Sequence, residues 1–265
     1  MASAIPAPTQ DASSSIVLVK AGTLIVNADD WGRDRENTDR ILDCVTIGTV
    51  SSTSAMVFME DSRRAADVAL DQSVDCGLHL NFTTPFNSPD CPSALKEHQS
   101  RIIRYLRGSR FAQVIFHPGL VSSFQYVTAA QIDEFQKTYG NIPRRFDGHH
   151  HMHLCANVIL GRLVPSGVIV RRNFSFRASE KSGINRLYRG AIDSILAKRQ
   201  RLTDYFFSLP PLEPRSRIDE ICSIARRAVV EVETHPVNRE EHQFLMGGEF
   251  LRIIGNLQIA KTFAV

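Results

Sequence analysis

The chain has 265 residues, 43% of them hydrophobic, which is enough to bury one large core, and α/β barrels commonly reach this length as a single domain. Its 31 Lys and Arg against 28 Asp and Glu leave a net charge of +3, too weak a field to argue for a nucleic-acid partner. No stretch approaches the roughly 18 consecutive apolar residues of a membrane span, and the five cysteines are scattered without a C-x-x-C pair, so reduced, packed thiols are expected.

Residues 1–20 are rich in Ala, Ser and Pro and lack a basic stretch ahead of an apolar one. They predict a flexible tail ahead of one catalytic domain over 21–265, working in the cytoplasm. Thr23 to Asn27 is a short apolar run without polar alternation, which reads as a strand buried on both faces. A helix is expected from about Thr38 to Ile47, with Ile41, Leu42 and Val45 at helical spacing and Gly48 as its stop. A strand over Ser52 to Phe58 and a helix over Ser62 to Leu70 repeat the order. Further strands are expected at Asp75 to Leu80, Arg145 to His149, Gly167 to Val170 and Val229 to Glu233.

Strands alternating with helices predict a parallel sheet wound with crossover helices, here a barrel-like (β/α) fold with its active site at the C-terminal ends of the strands. Pro85 to Pro92 reads as a surface loop. Ser175 to Pro214 shows no clear period beyond one helix, Ile184 to Lys198, and is either a lid or substrate wall or a plain peripheral helix and loop. The basic runs Arg171-Arg172 and Lys198 to Arg201 read as solvated helix ends or loops.

The polar residues at strand ends carry the chemistry. Asp29 and Asp30 follow the first strand, His79 lies in the third, His149 follows Phe146-Asp147-Gly148, Arg171 follows Val168-Ile169-Val170, and His235 follows Glu233. Asp30, His79 and His149 combine one carboxylate with two imidazoles, a set suited to one divalent ion that keeps coordination positions open. In the run His149-His150-His151-Met152-His153, strand parity puts His149 and His151 on the face opposite His150, so only one or two of these histidines can be ligands. His117-Pro118-Gly119 looks like a motif but reads as a turn.

Four segments together resemble a known family: Leu24 to Gly32, Gly77-Leu78-His79-Leu80-Asn81, Asp147 to His153, and Glu233-Thr234-His235-Pro236. The chain resembles the YdjC-like carbohydrate deacetylases, which include chitooligosaccharide deacetylases, from residue 22 to about 260. That resemblance implies a barrel-like α/β fold with Asp30, His79 and His149 as ligands of one divalent ion, Mg2+ or Zn2+. It further implies Asp29 as the catalytic carboxylate, Arg171 and His235 as residues completing the site, and an N-acetylated sugar as substrate. The chain departs from the commonest pattern with Trp31 where Phe is usual, Gly148 where Ser is common, and the N-terminal extension. The first two are expected to bear on pocket shape and on the support behind the ligands.

In such an enzyme Asp29 is expected to take a proton from the attacking water, oriented by Arg171, and His235 to deliver one to the departing nitrogen. Asp29 and Asp30 can share a site only if the chain turns sharply between them, and Gly32 is close enough to allow it. Another metal-dependent sugar enzyme, an isomerase or phosphoesterase, is the rival reading and should carry more carboxylates at its strand ends than the few counted here. The alternative outside enzymology is a metal- or sugar-binding protein with a surface histidine tract. A homodimer is left open.

Overall fold

The computed structural model describes residues 22–176 and 182–263, so the tail read over 1–20 lies outside the described residues. Among the described residues, seven parallel strands form one sheet in the order β5-β4-β3-β2-β1-β7-β6. They are β1 (Thr23–Trp31), β2 (Ser52–Ala55), β3 (Cys76–Leu80), β4 (Arg145–Gly148), β5 (Ile169–Val170), β6 (Tyr205–Ser208) and β7 (Val229–Thr234).

Helices α1 (Arg35–Thr46), α2 (Ser62–Gln72), α3 (Ser93–Gly108), α4 (Val121–Tyr139), α5 (Ala156–Leu160), α6 (Gly183–Ala197) and α7 (Ser216–Ala225) make the crossovers, and α8 (Arg239–Met246) and α9 (Glu249–Ile254) follow β7. The strands and helices anticipated from periodicity all form, within a few residues of their expected ends. Two long helices between β3 and β4 and the strand β6 were not anticipated. Tyr205-Phe206-Phe207 is three aromatics in a row, which hides the alternation of a strand with different faces.

Strand parity explains how the sheet builds both a core and a site. On β1, Leu24, Val26 and Ala28 pack outward into the main apolar core with the helices, whereas Ile25, Asn27 and Asp29 alternate with them. Ile25, Ile169, Val229 and Phe263 form a separate small apolar cluster that plugs the interior at its lower end. Above it the inner layer is polar: Arg145 donates to Asn27 Oδ1 at 2.6 Å and to the Thr53 carbonyl at 2.8 Å, with its guanidinium 4.5 Å over the Phe263 ring. A Cβ on Gly77 would meet the Arg145 guanidinium at 2.8 Å, so this strand position must be glycine for Arg145 to lie across it. The next inward residues, Asp29, His79, Asp147, Arg171 and Glu233, form the upper layer.

Contact across that layer requires a curled sheet. Arg171, one residue past β5, touches Asp29 on β1 at 2.6 Å, although the two strands are four steps apart and a flat sheet would separate them by about 19 Å. The sheet is therefore bent into a half-barrel. Its two edges are laced together by the segment leading into β6: Val170 N donates to Arg201 O at 2.9 Å, and Ser175 N donates to Phe206 O at 2.8 Å.

The five cysteines are free thiols, and all but the half-buried Cys76 are buried. Pro85 to Pro92 is a loop, as expected. Among the described residues no helix is long and apolar enough to cross a membrane.

Candidate active site

The turn at the end of β1 makes the site. Asp30 adopts φ 70°, Gly32 adopts φ 82°, and the pairing of β1 with β2 shifts register between Ala28 and Trp31. Left-handed backbone at an aspartate is uncommon but accessible to its short polar side chain. This irregularity sets Asp29 and Asp30 toward the same place, as the sharp turn anticipated from sequence requires. Trp31 does not shape the pocket: it is fully buried, and its Nε1 donates to the Ala65 carbonyl beneath α2.

Asp30, His79 and His149 offer ligand atoms that lie within 4.8 Å of one another, all buried. Asp30 Oδ1 stands 3.5 Å from His79 Nε2 and 2.9 Å from His149 Nδ1, yet among the described residues that oxygen has no hydrogen-bond partner of acceptable geometry. His79 Nδ1 meets Asp147 Oδ1 at 2.7 Å, which fixes the ring and turns Nε2 inward. A carboxylate behind an imidazole in this way is the usual support of a metal-ligating histidine. Burial opposes a charge on His79, but Asp29 and Asp147 outweigh it and push its pKa up to about 10. Burial likewise opposes the charge of Asp30, and the two histidines hold it well below the usual carboxylate range. A pocket that retains a proton so firmly is one that favours a cation, and the donor set of one oxygen and two nitrogens fits a divalent ion.

A second trio, Asp29, His79 and Asp147, comes equally close. Both of its carboxylates already face Arg171, at 2.6 Å and 3.2 Å, so its oxygens are committed to a guanidinium. Among the described residues the first trio meets one such competitor, Arg33, which is one-third exposed and pairs with the other oxygen of Asp30 at 2.9 Å.

Arg171 is not a solvated basic residue, as its neighbour Arg172 suggested, but the buried centre of the upper layer. Its Nη atoms grip both oxygens of Asp29 at 2.6 and 2.7 Å, its Nε donates to Glu231 at 2.7 Å, and Glu233 lies 3.3 Å away. Its guanidinium sits 4.9 Å over the Phe206 ring. Asp147 also accepts a short hydrogen bond from Ser54. Burial works against the charge of Asp29, yet Arg171 and then His79 outweigh it and lower its pKa. Burial, then the negative charge of Asp29, raises Glu233 well above the usual carboxylate range. One guanidinium thus holds an ionised carboxylate beside one that tends to keep its proton, a division suited to acid and base work.

Glu231, Glu233 and Asp147 were not singled out from the sequence, and the count of strand-end carboxylates made there was too low. The available signal was parity: Glu231 and Glu233 alternate with Val230 and Val232, a charged residue at every second position of an otherwise apolar strand.

The histidine run does not continue the strand. Residues 149–154 form tight 3-10 turns in which His150 and His151 are left-handed, with φ 54° and 58°, so the parity argument for their faces fails. His149 joins Asp30. The His150 ring lies tilted against the His149 ring, centroids 4.0 Å apart, and meets Thr83 Oγ1 at 2.9 Å, while His151 packs edge-on against Phe174 with Nε2 3.7 Å from Glu233. His153 is buried, donates from Nε2 to the Arg171 carbonyl at 2.9 Å, and has its pKa lowered to about 4 chiefly by burial. A Cβ on Gly148 would lie 2.9 Å from His153 N, so glycine at this position makes room for His153.

His235 is half-buried, one residue beyond the paired positions Ala28 and Thr234, and its backbone N–H donates to Glu241 at 2.9 Å. It directly follows the last residue of β7, the strand that pairs with β1. His117-Pro118-Gly119 begins a turn whose His117 backbone is bonded to Asn157, which accounts for it structurally.

A curled parallel sheet with a buried Asp-His-His cluster and an arginine-held aspartate at its strand ends defines an α/β half-barrel with the donor set of a metal site. The chain matches the family described as YdjC-like protein over residues 23–253, and it belongs to that family. It is 27% identical to a carbohydrate deacetylase of Danio rerio over 140 residues, covering 51% of this chain and 43% of the relative. It is 30% identical to a chitooligosaccharide deacetylase of Proteus mirabilis (strain HI4320) over 134 residues, covering 51% of each. These matches span about half the length of the relatives. A crystal structure of an Enterococcus faecalis V583 protein, provisionally assigned to cellobiose-phosphate cleavage, shares the fold with a TM-score of 0.64 and 18% identity, over 91% of this chain and 97% of the other.

Proposed function

We propose that this protein is a divalent-metal-dependent hydrolase that removes the acetyl group from an N-acetylated sugar, with Asp30, His79 and His149 holding the ion. The observation that carries this reading is the convergence of those three side chains, with His79 Nε2 turned inward by Asp147. An ion bound there would polarise the acetyl carbonyl and acidify water, which is what amide hydrolysis at neutral pH demands. Its identity as magnesium or zinc is decided by reconstitution.

The chain's own residues supply the proton traffic. Asp29 stays ionised beside Arg171, which fixes its two oxygens, and accepts the proton of the attacking water. His235, at the end of the neighbouring strand β7, delivers a proton to the departing sugar nitrogen, because an amide anion is too basic to leave unassisted. The names of the relatives support a carbohydrate amide as substrate.

Acetate release from a panel of N-acetylated sugars, with and without chelator and with magnesium or zinc restored, tests the reading. Chelator-sensitive release is expected. Turnover of sugar phosphates or ketose–aldose pairs in place of acetate release would favour an isomerase or phosphoesterase, and metal binding without any turnover would favour a binding protein.

A further inference from the structure

Three of the four histidines in the run from His149 to His153 are accounted for. His149 joins Asp30 and His79, His150 meets Thr83 Oγ1 at 2.9 Å, and His153 donates to the Arg171 carbonyl at 2.9 Å. His151 is the remainder. Among the described residues its ring nitrogens make no hydrogen bond, and Nε2 lies 3.7 Å from Glu233 Oε2, beyond the roughly 2.7–3.2 Å of a hydrogen bond.

The His151 ring is nonetheless fixed in place. It packs edge-on against Phe174, centroids 4.7 Å apart, and Phe174 is stacked at 4.6 Å on Phe206, the ring beneath the Arg171 guanidinium. The backbone that puts it there is left-handed, with φ 58°, directly after His150 at φ 54°. Backbone of this kind is strained in residues other than glycine, and it clusters where a side chain is held for a ligand. The His151 side chain is 32% exposed, against 5% for Glu233 and 1% for Arg171, so it is the one of the three that meets solvent.

Short contacts tie this pair to the reacting end of the site. Glu233 Oε2 lies 3.3 Å from Arg171 Nη1, the same nitrogen that donates to Asp29 Oδ2 at 2.6 Å, and that aspartate oxygen lies 3.9 Å from His79 Nε2. His151 itself is two residues from the ligand His149. The carboxyl oxygen keeps a lone pair beyond the one facing Arg171, and the imidazole nitrogen stands next to it. A single hydroxyl set against both can donate to one and accept from the other.

We propose that His151 Nε2 and Glu233 Oε2 together hold the C3 hydroxyl of the N-acetylated sugar, beside the acetamide, and so select which sugars are deacetylated. This rests on the deacetylase reading and deepens it. In an N-acetylated hexosamine the carbon that bears the acetamide has two ring neighbours. C1 carries the glycosidic oxygen, which has no proton to donate. The C3 hydroxyl both donates and accepts, as a pair of this kind requires. Its capture fixes the sugar at the carbon next to the amide.

The test compares methyl N-acetyl-β-glucosaminide with its 3-deoxy analogue. The readouts are acetate release by the metal-loaded enzyme and affinity for the metal-free chain, followed by ligand-detected NMR titration. The unmodified protein should prefer the parent sugar by about ten- to a hundredfold, the range expected when a buried polar partner is left unsatisfied. His151→Phe keeps a ring against Phe174 and removes both nitrogens, so the preference should fall to about twofold or less, because the protein and sugar changes act on one contact. Its bound metal, by elemental analysis, and its urea midpoint should not change. His151→Asn, shorter than the imidazole and tolerant of left-handed backbone, should lose the preference in the same way.

Equal handling of the two sugars by the unmodified protein would overturn the hydroxyl site and leave the deacetylase reading standing. A preference that both His151 variants keep would overturn it as well, since the discrimination would then lie elsewhere. Loss of the bound ion in His151→Phe would make His151 a ligand and also overturn it. No acetate release from either sugar would count against the deacetylase reading, and the NMR affinity ratio, which needs no turnover, would still support or refute the hydroxyl site.

Discussion

Arg171 and Asp29 form a two-pronged ion pair across the interior of the half-barrel, Nη1 to Oδ2 at 2.6 Å and Nη2 to Oδ1 at 2.7 Å. The same guanidinium faces Asp147, Glu231 and Glu233, so it is the shared counter-charge of a buried acidic layer. Arg171→Met leaves those carboxylates without it, and breaking a buried pair in this way costs about 3–5 kcal/mol. Urea unfolding should show a midpoint lowered accordingly, and an unchanged midpoint would mean that the layer is protonated or hydrated enough to do without the arginine.

The cation site predicts a graded response to substitution. His79→Ala or His149→Ala should remove most bound ion, measured by elemental analysis, and nearly all activity, because two ligands hold an ion poorly. Asp147→Asn keeps the ligands but loosens the His79 ring, and an affinity loss of roughly 10–100-fold is expected. His150→Ala, which removes a tilted ring contact with His149 and a bond to Thr83, should do far less. Retained metal in both the His79 and His149 variants would discard the trio.

The neighbouring aspartates should separate. Asp30→Asn lowers metal occupancy, whereas Asp29→Asn leaves the metal in place and removes the base, so turnover falls at full occupancy. An empty site in Asp29→Asn with a full one in Asp30→Asn would exchange their roles, in favour of the trio that contains Asp29 and Asp147.

His235→Ala should lower amide deacetylation by about a hundredfold or more, the range for losing a general acid. Hydrolysis of an aryl acetate, whose leaving group needs no proton, should fall much less. Equal losses on both substrates would remove the assignment and turn attention to Glu233, the carboxyl beside Arg171 that tends to keep its proton.

His153 predicts an acid-side instability. Its pKa is lowered to about 4 in the fold, chiefly by burial, against about 6.5 in the unfolded chain. The unfolded state therefore binds the proton first, and stability present above about pH 6.5 is lost as pH falls toward 4. The contribution is on the order of 3 kcal/mol for a group this buried. Chemical denaturation of the metal-free protein across that window should show the slope, and His153→Gln should flatten it. A slope unchanged in the variant would assign the effect to other groups.

Local patterning made much of this protein legible before its fold was known. The apolar run at Thr23 to Asn27, the helical spacing at Ile41 to Val45 and the strand Val229 to Glu233 are properties of a few consecutive residues, and each forms as read. Six polar residues at or beside strand ends were picked out for the same reason: in a parallel sheet, strands end on one side, so position along a strand already predicts convergence. The histidine run failed that logic because His150 and His151 leave the strand in left-handed turns, a backbone choice that side-chain pattern does not encode.

What only the tertiary structure decided is which of these residues touch. Arg171 meets Asp29 because the sheet curls enough to bring its edge strand over β1, and the curl comes from packing of helices and edge segments far apart in the chain. Glu231, Glu233 and Asp147 gain their meaning from that contact, since a carboxylate is unremarked in sequence until a buried guanidinium stands within 4 Å of it. The sequence by itself determined the elements and the chemical types gathered at one edge. The pairing among them is a long-range property, set where burial forces each charge to find a partner.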